Sequence, residues 1–146
     1  MSNLAEAMGI FSKQNAQHLK EQGKGMSGTE IIDQELFVPE WKPANYQTVG
    51  APVKFDGQVY KVLQAHDSTS NPDWTPAATP ALWSICHTTD PAKAKPWLEP
   101  QGTSGMYYKG ECYIADDGTI YRQIYDGDNV YDAVAMPDRW EAVEVD

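Results

Sequence analysis

The feature that most constrains this chain of 146 residues is a pattern that occurs twice. Its first occurrence is Val49-Gly50-Ala51-Pro52-Val53-Lys54-Phe55, then Asp56-Gly57, then Gln58-Val59-Tyr60-Lys61-Val62-Leu63-Gln64. Two β-prone runs joined by Asp-Gly predict a hairpin, because these two residue types tolerate the positive φ of a tight turn. The second occurrence is Gly110-Glu111-Cys112-Tyr113-Ile114-Ala115, then Asp116-Asp117-Gly118, then Thr119-Ile120-Tyr121-Arg122-Gln123-Ile124-Tyr125. Laid on one another, Gly50 meets Gly110, Tyr60 meets Tyr121 and Leu63 meets Ile124, with one residue inserted before the second turn. Downstream, Pro80-Ala81-Leu82-Trp83 meets Pro137-Asp138-Arg139-Trp140, and Trp41 and Trp97 each precede a hairpin. A repeat in this order reads as an internal duplication.

Each copy is a unit of roughly 45–60 residues, a size at which only about 60% of the chain's surface can be buried, so the two are expected to lean on each other. The predicted fold class is mainly β: two small tandem β-modules, each a hairpin closed by a third strand carrying Trp83 or Trp140. Those two tryptophans, with Tyr60 and Tyr121, are expected in the core, where each contributes on the order of 2–3 kcal/mol. The 11 Gly and 10 Pro exclude a plain helix bundle, while 41% hydrophobic residues exclude general disorder. The run Glu30–Val38 reads as a further strand, ended by Pro39.

Ahead of the β pattern, residues 3–22 read as an α-helix, with Leu4, Met8 and Phe11 spaced four and three apart. The same register continues through Asn15, His18 and Gln22. Gly23 sits where a helix-ending glycine belongs, and Lys20 and Lys24 suit the negative end of the helix dipole. Two readings stay open: an amphipathic helix lying on its own domain, or a parallel coiled coil with Leu4, Met8 and Phe11 at the seam and Asn15 fixing register. Gly23, Gly25 and Gly28 make the next stretch read as a flexible linker. The expected organisation is therefore 1–28 helix and linker, 29–96 first module, and 97–146 second, divergent module. Charge supports the first boundary: residues 1–28 carry 3 basic and 2 acidic groups, residues 29–146 carry 8 and 19.

A net charge of −10 opposes binding to a phosphate backbone, so no nucleic-acid partner is expected. No run of 18 apolar residues exists, and the start lacks a basic then apolar leader, so neither a membrane span nor an ordinary signal peptide is expected. Cys86 and Cys112 are expected as free, semi-buried thiols. Neither they nor His18, His66 and His87 complete a zinc motif. Asp126–Asp132 is rich in carboxylates but lacks the distal Glu of a calcium loop, and reads as a solvated turn. No nucleophile elbow, phosphate loop or Cys–His arrangement is present, so the expectation is a protein without catalysis, cofactor or metal.

Gly50-x-x-Val53-x-x-x-Gly57-x-x-Tyr60-x-Val62, followed by a Pro-containing loop and Trp83, resembles the small carbohydrate-binding modules of families 5 and 12, the chitin- or cellulose-binding modules of bacterial chitinases. The resemblance covers about residues 41–85, extends more loosely over 97–143, and leaves out the N-terminal helix. The run Gln58–His66 with Asp73-Trp74-Thr75-Pro76 also resembles modules in small tail-associated proteins of bacteriophages. This resemblance implies a virion accessory or adhesion protein. Its partners would be a host cell-surface or cell-wall polysaccharide, capsid or tail proteins, and further copies of itself, a trimer for example. The alternative is a purely structural docking protein of the virion whose modules have lost their sugar site. One departure bears on that choice: the adjacent exposed aromatics that follow the hairpin Tyr in the family are replaced by Gln64 and Ala65.

A sugar site here would be rebuilt from other aromatics. Trp74 lies on a polar, proline-rich loop and offers a flat face to a sugar ring, with His66, Asp67, Asn71 or Asp73 beside it, unless it folds back as a lid. Trp41 and Tyr46 occupy positions where the resemblance implies a structural or ligand-facing aromatic. Tyr125 in the second copy stands near the place of the missing platform.

Overall fold

The computed structural model describes residues 15–101 and 105–145. Leu4, Met8 and Phe11, the expected helix seam, lie outside them. Residues 15–22 form the described part of helix α1. Here the expected register is corrected: His18 and Gln22 face solvent, whereas Leu19 is fully buried. Leu19 packs with Ile31, Ile32, Val38, Val59 and Cys86, so this stretch lies on its own chain. Asn15, the expected register-fixing residue, is half-buried.

The expected flexible linker is also packed. Gly23–Gly25 form a 3-10 turn, and the Lys61 ammonium donates to the carbonyls of Gly23 (3.0 Å) and Met26 (2.8 Å). A Cβ on Gly23 would collide with the Gly50 carbonyl, so the glycine permits close approach of two backbones. The strand expected over Glu30–Val38 is instead helix α2 (Gly28–Asp33) followed by a 3-10 turn at Glu35–Phe37. The reason is local: the Ser27 hydroxyl accepts from the Glu30 N–H, and the Glu30 carboxylate accepts from the Ser27 N–H. That reciprocal cap starts a helix, and Ile31 and Ile32 bury themselves from it.

The strands that follow form three small sheets joined by loops and short 3-10 turns. The strands are β1 (Asn45–Tyr46), β2 (Pro52–Phe55), β3 (Gln58–Val62), β4 (His66–Asp67) and β5 (Trp83–Ile85), then β6 (Lys95–Pro96), β7 (Cys112–Ile114), β8 (Ile120–Gln123) and β9 (Trp140–Val143). One sheet orders β2-β3-β5, another β6-β7-β8-β9, and β1 pairs with β4 alone. The parallel strand β6 makes the second sheet four-stranded where three strands were expected.

Registers in the two larger sheets agree residue for residue. Val53 faces Tyr60 as Tyr113 faces Tyr121, and Val62 faces Trp83 as Gln123 faces Trp140. Gly50 (φ 91°) donates to the Val62 carbonyl at 2.8 Å, and Gly110 (φ 93°) donates to the Gln123 carbonyl at 2.9 Å. Glu40 bridges Lys54 in parallel, as Pro96 pairs with Ile114. Tyr46 faces His66 across β1 and β4, and Tyr107 faces Asn129 in the same sense. Each sheet covers its own aromatic core, around Trp83 in one and around Trp140 in the other.

The two sheets are coupled. The Cys112 N–H donates to the Thr88 carbonyl at 2.8 Å, and the Gln58 amide donates to the Pro96 carbonyl at 3.0 Å. His87 lies flat on Tyr107, with centroids 3.7 Å apart, and its Nε2 donates to the Gly105 carbonyl at 2.8 Å. Cys86 and Cys112 are both free and buried, and burial pushes the Cys86 thiol up to about 12. No described helix is long and apolar enough to cross a membrane.

Candidate functional site

In the first half of the chain the side chains expected to meet a ligand divide into two groups. Tyr46 and His66 come together because β1 and β4 pair them across the ladder, and both rings lean on Trp83. Ring centroids are 5.1 Å apart for Tyr46 and Trp83, 5.2 Å for His66 and Trp83, and 5.5 Å for Tyr46 and His66. The Tyr46 hydroxyl donates to the Lys42 carbonyl at 2.7 Å and accepts from the Lys42 N–H at 3.1 Å, closing the loop between them. Burial pushes the Tyr46 phenol up. His66 is buried, and its Nδ1 donates to the Gln64 carbonyl at 2.7 Å. Trp41 is half-buried, edge-on to Phe55 at 6.0 Å. These three side chains therefore line the rim of the Trp83 core, with part of Trp41 and Tyr46 reaching the surface.

Trp74 stands apart from that cluster. It is 38% exposed on a loop whose turns are closed by Asn71 N–H to Ser68 and Trp74 N–H to Asn71. The loop's entry is pinned by Asp67, whose carboxylate accepts from the Thr69 N–H at 2.9 Å and from the Thr69 hydroxyl at 2.6 Å. Those two hydrogen bonds hold the Asp67 carboxyl below the usual carboxylate range. Trp74 is thus a large apolar face on a braced loop, and such a face suits the C–H side of a sugar ring. Gln64 and Ala65 are exposed at the family's aromatic positions, and the Gln64 amide donates to the Ala81 carbonyl at 3.0 Å.

In the second sheet Tyr125 is 38% exposed and does not stand alone. The Arg139 guanidinium lies 3.9 Å above its ring and 5.6 Å from the ring of exposed Tyr131. Arg139 also donates to the Asn129 amide oxygen at 3.0 Å, and Trp140 Nε1 fixes the Tyr131 carbonyl at 2.8 Å. Reading the sequence does not reach Arg139. The available signal was the Pro-x-x-Trp alignment, which places Arg139 where its carbonyl accepts from the Ile124 N–H beside Tyr125. Trp74 lies on the loop between β4 and β5 and Tyr125 on the loop between β8 and β9, so they stand on different halves of the chain.

Comparison with known proteins covers the stretch that carries the first of these surfaces. Residues 40–84 match the model of carbohydrate-binding module family 5/12. Streptogrisin-C of Streptomyces griseus is 46% identical over 43 residues, a stretch that covers 30% of this chain. That stretch is 9% of streptogrisin-C, so the chain spans a small part of this relative's length. The stretch holding Trp41, Tyr46, His66 and Trp74 is therefore similar to a carbohydrate-binding module of family 5/12.

Proposed function

We propose that this chain is a non-enzymatic carbohydrate-binding protein that presents two modules of one ancestral design to a polysaccharide surface. The observation that carries the reading is the match of residues 40–84 to carbohydrate-binding module family 5/12. The tandem arrangement draws support from the shared register of the two sheets and from the paired positive-φ glycines Gly50 and Gly110. Trp74 is the ligand-facing aromatic of the first module, and Tyr125, with Arg139 and Tyr131, that of the second. The setting we infer is an adhesion or accessory protein of a bacteriophage virion, with host cell-surface or cell-wall polysaccharide as ligand. The N-terminal helix would gather copies, because weak sites of about millimolar affinity gain orders of magnitude when several engage one surface.

A second reading is favoured by one observation, the exposed Gln64 and Ala65 where the family carries stacked aromatics. On that reading the modules keep the fold and dock onto capsid or tail proteins.

Co-sedimentation of the full chain with chitin, cellulose and intact bacterial cell walls separates the two, beside a Trp74→Ala variant. Binding to one of these that the variant loses supports the adhesion reading. Failure on all three leaves the docking reading. Light scattering of the full chain at micromolar concentration tests multivalency, which a strict monomer would remove.

A further inference from the structure

An open cleft of about 520 Å³ lies on the second sheet, between the β7–β8 turn, the loop after Tyr131 and the end of β6. Its volume is within the range of small-ligand sites. Trp97 and Tyr121, both half-buried, form the floor over buried Tyr113. The floor is held in place: Trp97 stacks on Tyr107 with centroids 4.9 Å apart, and Tyr121 tilts against Tyr113 at 5.5 Å. Asp116 and Asp117 approach from the hairpin turn and Asp132 from the facing loop. Two of these carboxylates are braced, Asp117 by the Thr119 N–H and Asp132 by the Ala135 N–H, both at 2.9 Å. Among the described residues, no Lys or Arg lines the cleft.

We propose that this cleft is a separate glycan site, selective for saccharides that carry protonated amino groups, such as glucosaminyl units. The inference rests on the carbohydrate-binding reading above and assigns the second half a ligand class of its own. The aromatic floor accepts the C–H face of a sugar ring or an ammonium group, and the carboxylates around it favour a cationic ligand over an anionic one. Charge over the whole half points the same way: residues 97–146 carry 3 basic and 11 acidic groups. The first sheet lacks the arrangement. Its turn offers Asp56 alone, and Lys54 faces Val59 where Ile114 faces Ile120 in the second sheet. An anionic glycan would be repelled, and an N-acetylated one would gain no charge-assisted hydrogen bond from the carboxylates.

Isothermal titration calorimetry of the full chain tests this with the glucosamine tetramer, its N-acetylated counterpart and a short lysine peptide. The variants are the Asp116→Asn/Asp132→Asn double and, from the first hairpin turn, Asp56→Asn, with melting temperatures confirming that both fold. The glucosamine tetramer should bind wild type and Asp56→Asn alike, and the double variant about tenfold or more weaker, as expected for lost charge-assisted hydrogen bonds. Binding should fall with added salt, and again as pH rises through the titration of the sugar amines. Equal binding by the double variant overturns the proposal, as does binding of the lysine peptide alone, which would mark a protein-docking cleft. Retained binding to chitin, cellulose or cell walls with no response to the glucosamine tetramer overturns this cleft assignment and leaves the general reading standing. Loss of both removes both.

Discussion

At the scale of single residues, two glycines at matching places do different work. Gly50 and Gly110 both sit at positive φ, 91° and 93°, and both donate into the neighbouring strand. An alanine at either position pays a backbone strain of roughly 1–2 kcal/mol. At Gly110 that is the whole cost, since the nearest atom to an added Cβ is Thr89 Cγ2 at 3.6 Å. At Gly50 the same Cβ would also collide with the backbone of Lys24, because the 3-10 turn after α1 packs against it. Urea denaturation should therefore show Gly110→Ala losing about 1–2 kcal/mol and Gly50→Ala clearly more, on the order of 3 kcal/mol or beyond. Equal losses would show that the Gly23–Gly25 turn is not seated on Gly50 in solution. The glycine repeat was legible in the sequence. The difference between its two members was not, because it depends on a segment about 26 residues away in the chain.

At the scale of elements, α2 is the instructive case. Apolar Ile31, Ile32, Leu36, Phe37 and Val38 suggest a strand by composition, yet Ser27 and Glu30 cap a helix. Leu36 is 86% exposed, which a buried strand would not allow. Ser27→Ala removes one half of the reciprocal cap and should cost about 1 kcal/mol, a drop of roughly 2–4 °C in melting temperature for a chain of this size. Calorimetry checks it. An unchanged melting temperature would mean that burial of Ile31 and Ile32 alone sets the segment. The two hairpins are the opposite case. Asp-Gly turns and β-branched runs determine them locally, so turn position and pairing register both follow from the sequence.

At the scale of the whole molecule, the two sheets meet through His87, which lies flat on Tyr107 and is buried. Burial lowers its pKa from the ordinary 6.5 to about 4, against a smaller opposing effect of its bond to the Gly105 carbonyl. The folded protein thus holds His87 neutral where the unfolded chain would protonate it. Stability associated with it is complete above pH 6.5 and is lost as pH falls toward 4, a total on the order of 3 kcal/mol. Glu111, whose carboxyl burial pushes up, acts in the opposite sense. The test is accordingly a difference: denaturant midpoints of wild type between pH 7 and 4.5 should fall more steeply than those of His87→Gln. Parallel slopes would show that His87 is hydrated. Function also divides at this scale. Trp74→Ala should cost only about 1–2 kcal/mol, since the ring is partly covered but outside the Trp83 core, while removing polysaccharide binding by the first module.

The sequence by itself determined what is local or periodic: both hairpins, their turns, the third strands carrying Trp83 and Trp140, and the burial of those tryptophans. It also pointed to Trp74 as a loop aromatic, because a proline-rich polar segment offers little to cover so large a ring. Tertiary structure decided whatever depends on distant partners meeting. It turned a glycine-rich stretch into a packed turn under Lys61, drew Tyr46 and His66 onto Trp83, laid Arg139 over Tyr125, and gathered Asp116, Asp117 and Asp132 around Trp97 and Tyr121. The physical reason is range. Turn chemistry and side-chain alternation act over a few neighbouring residues, whereas a site is made by residues far apart in the chain that only the folded core brings together.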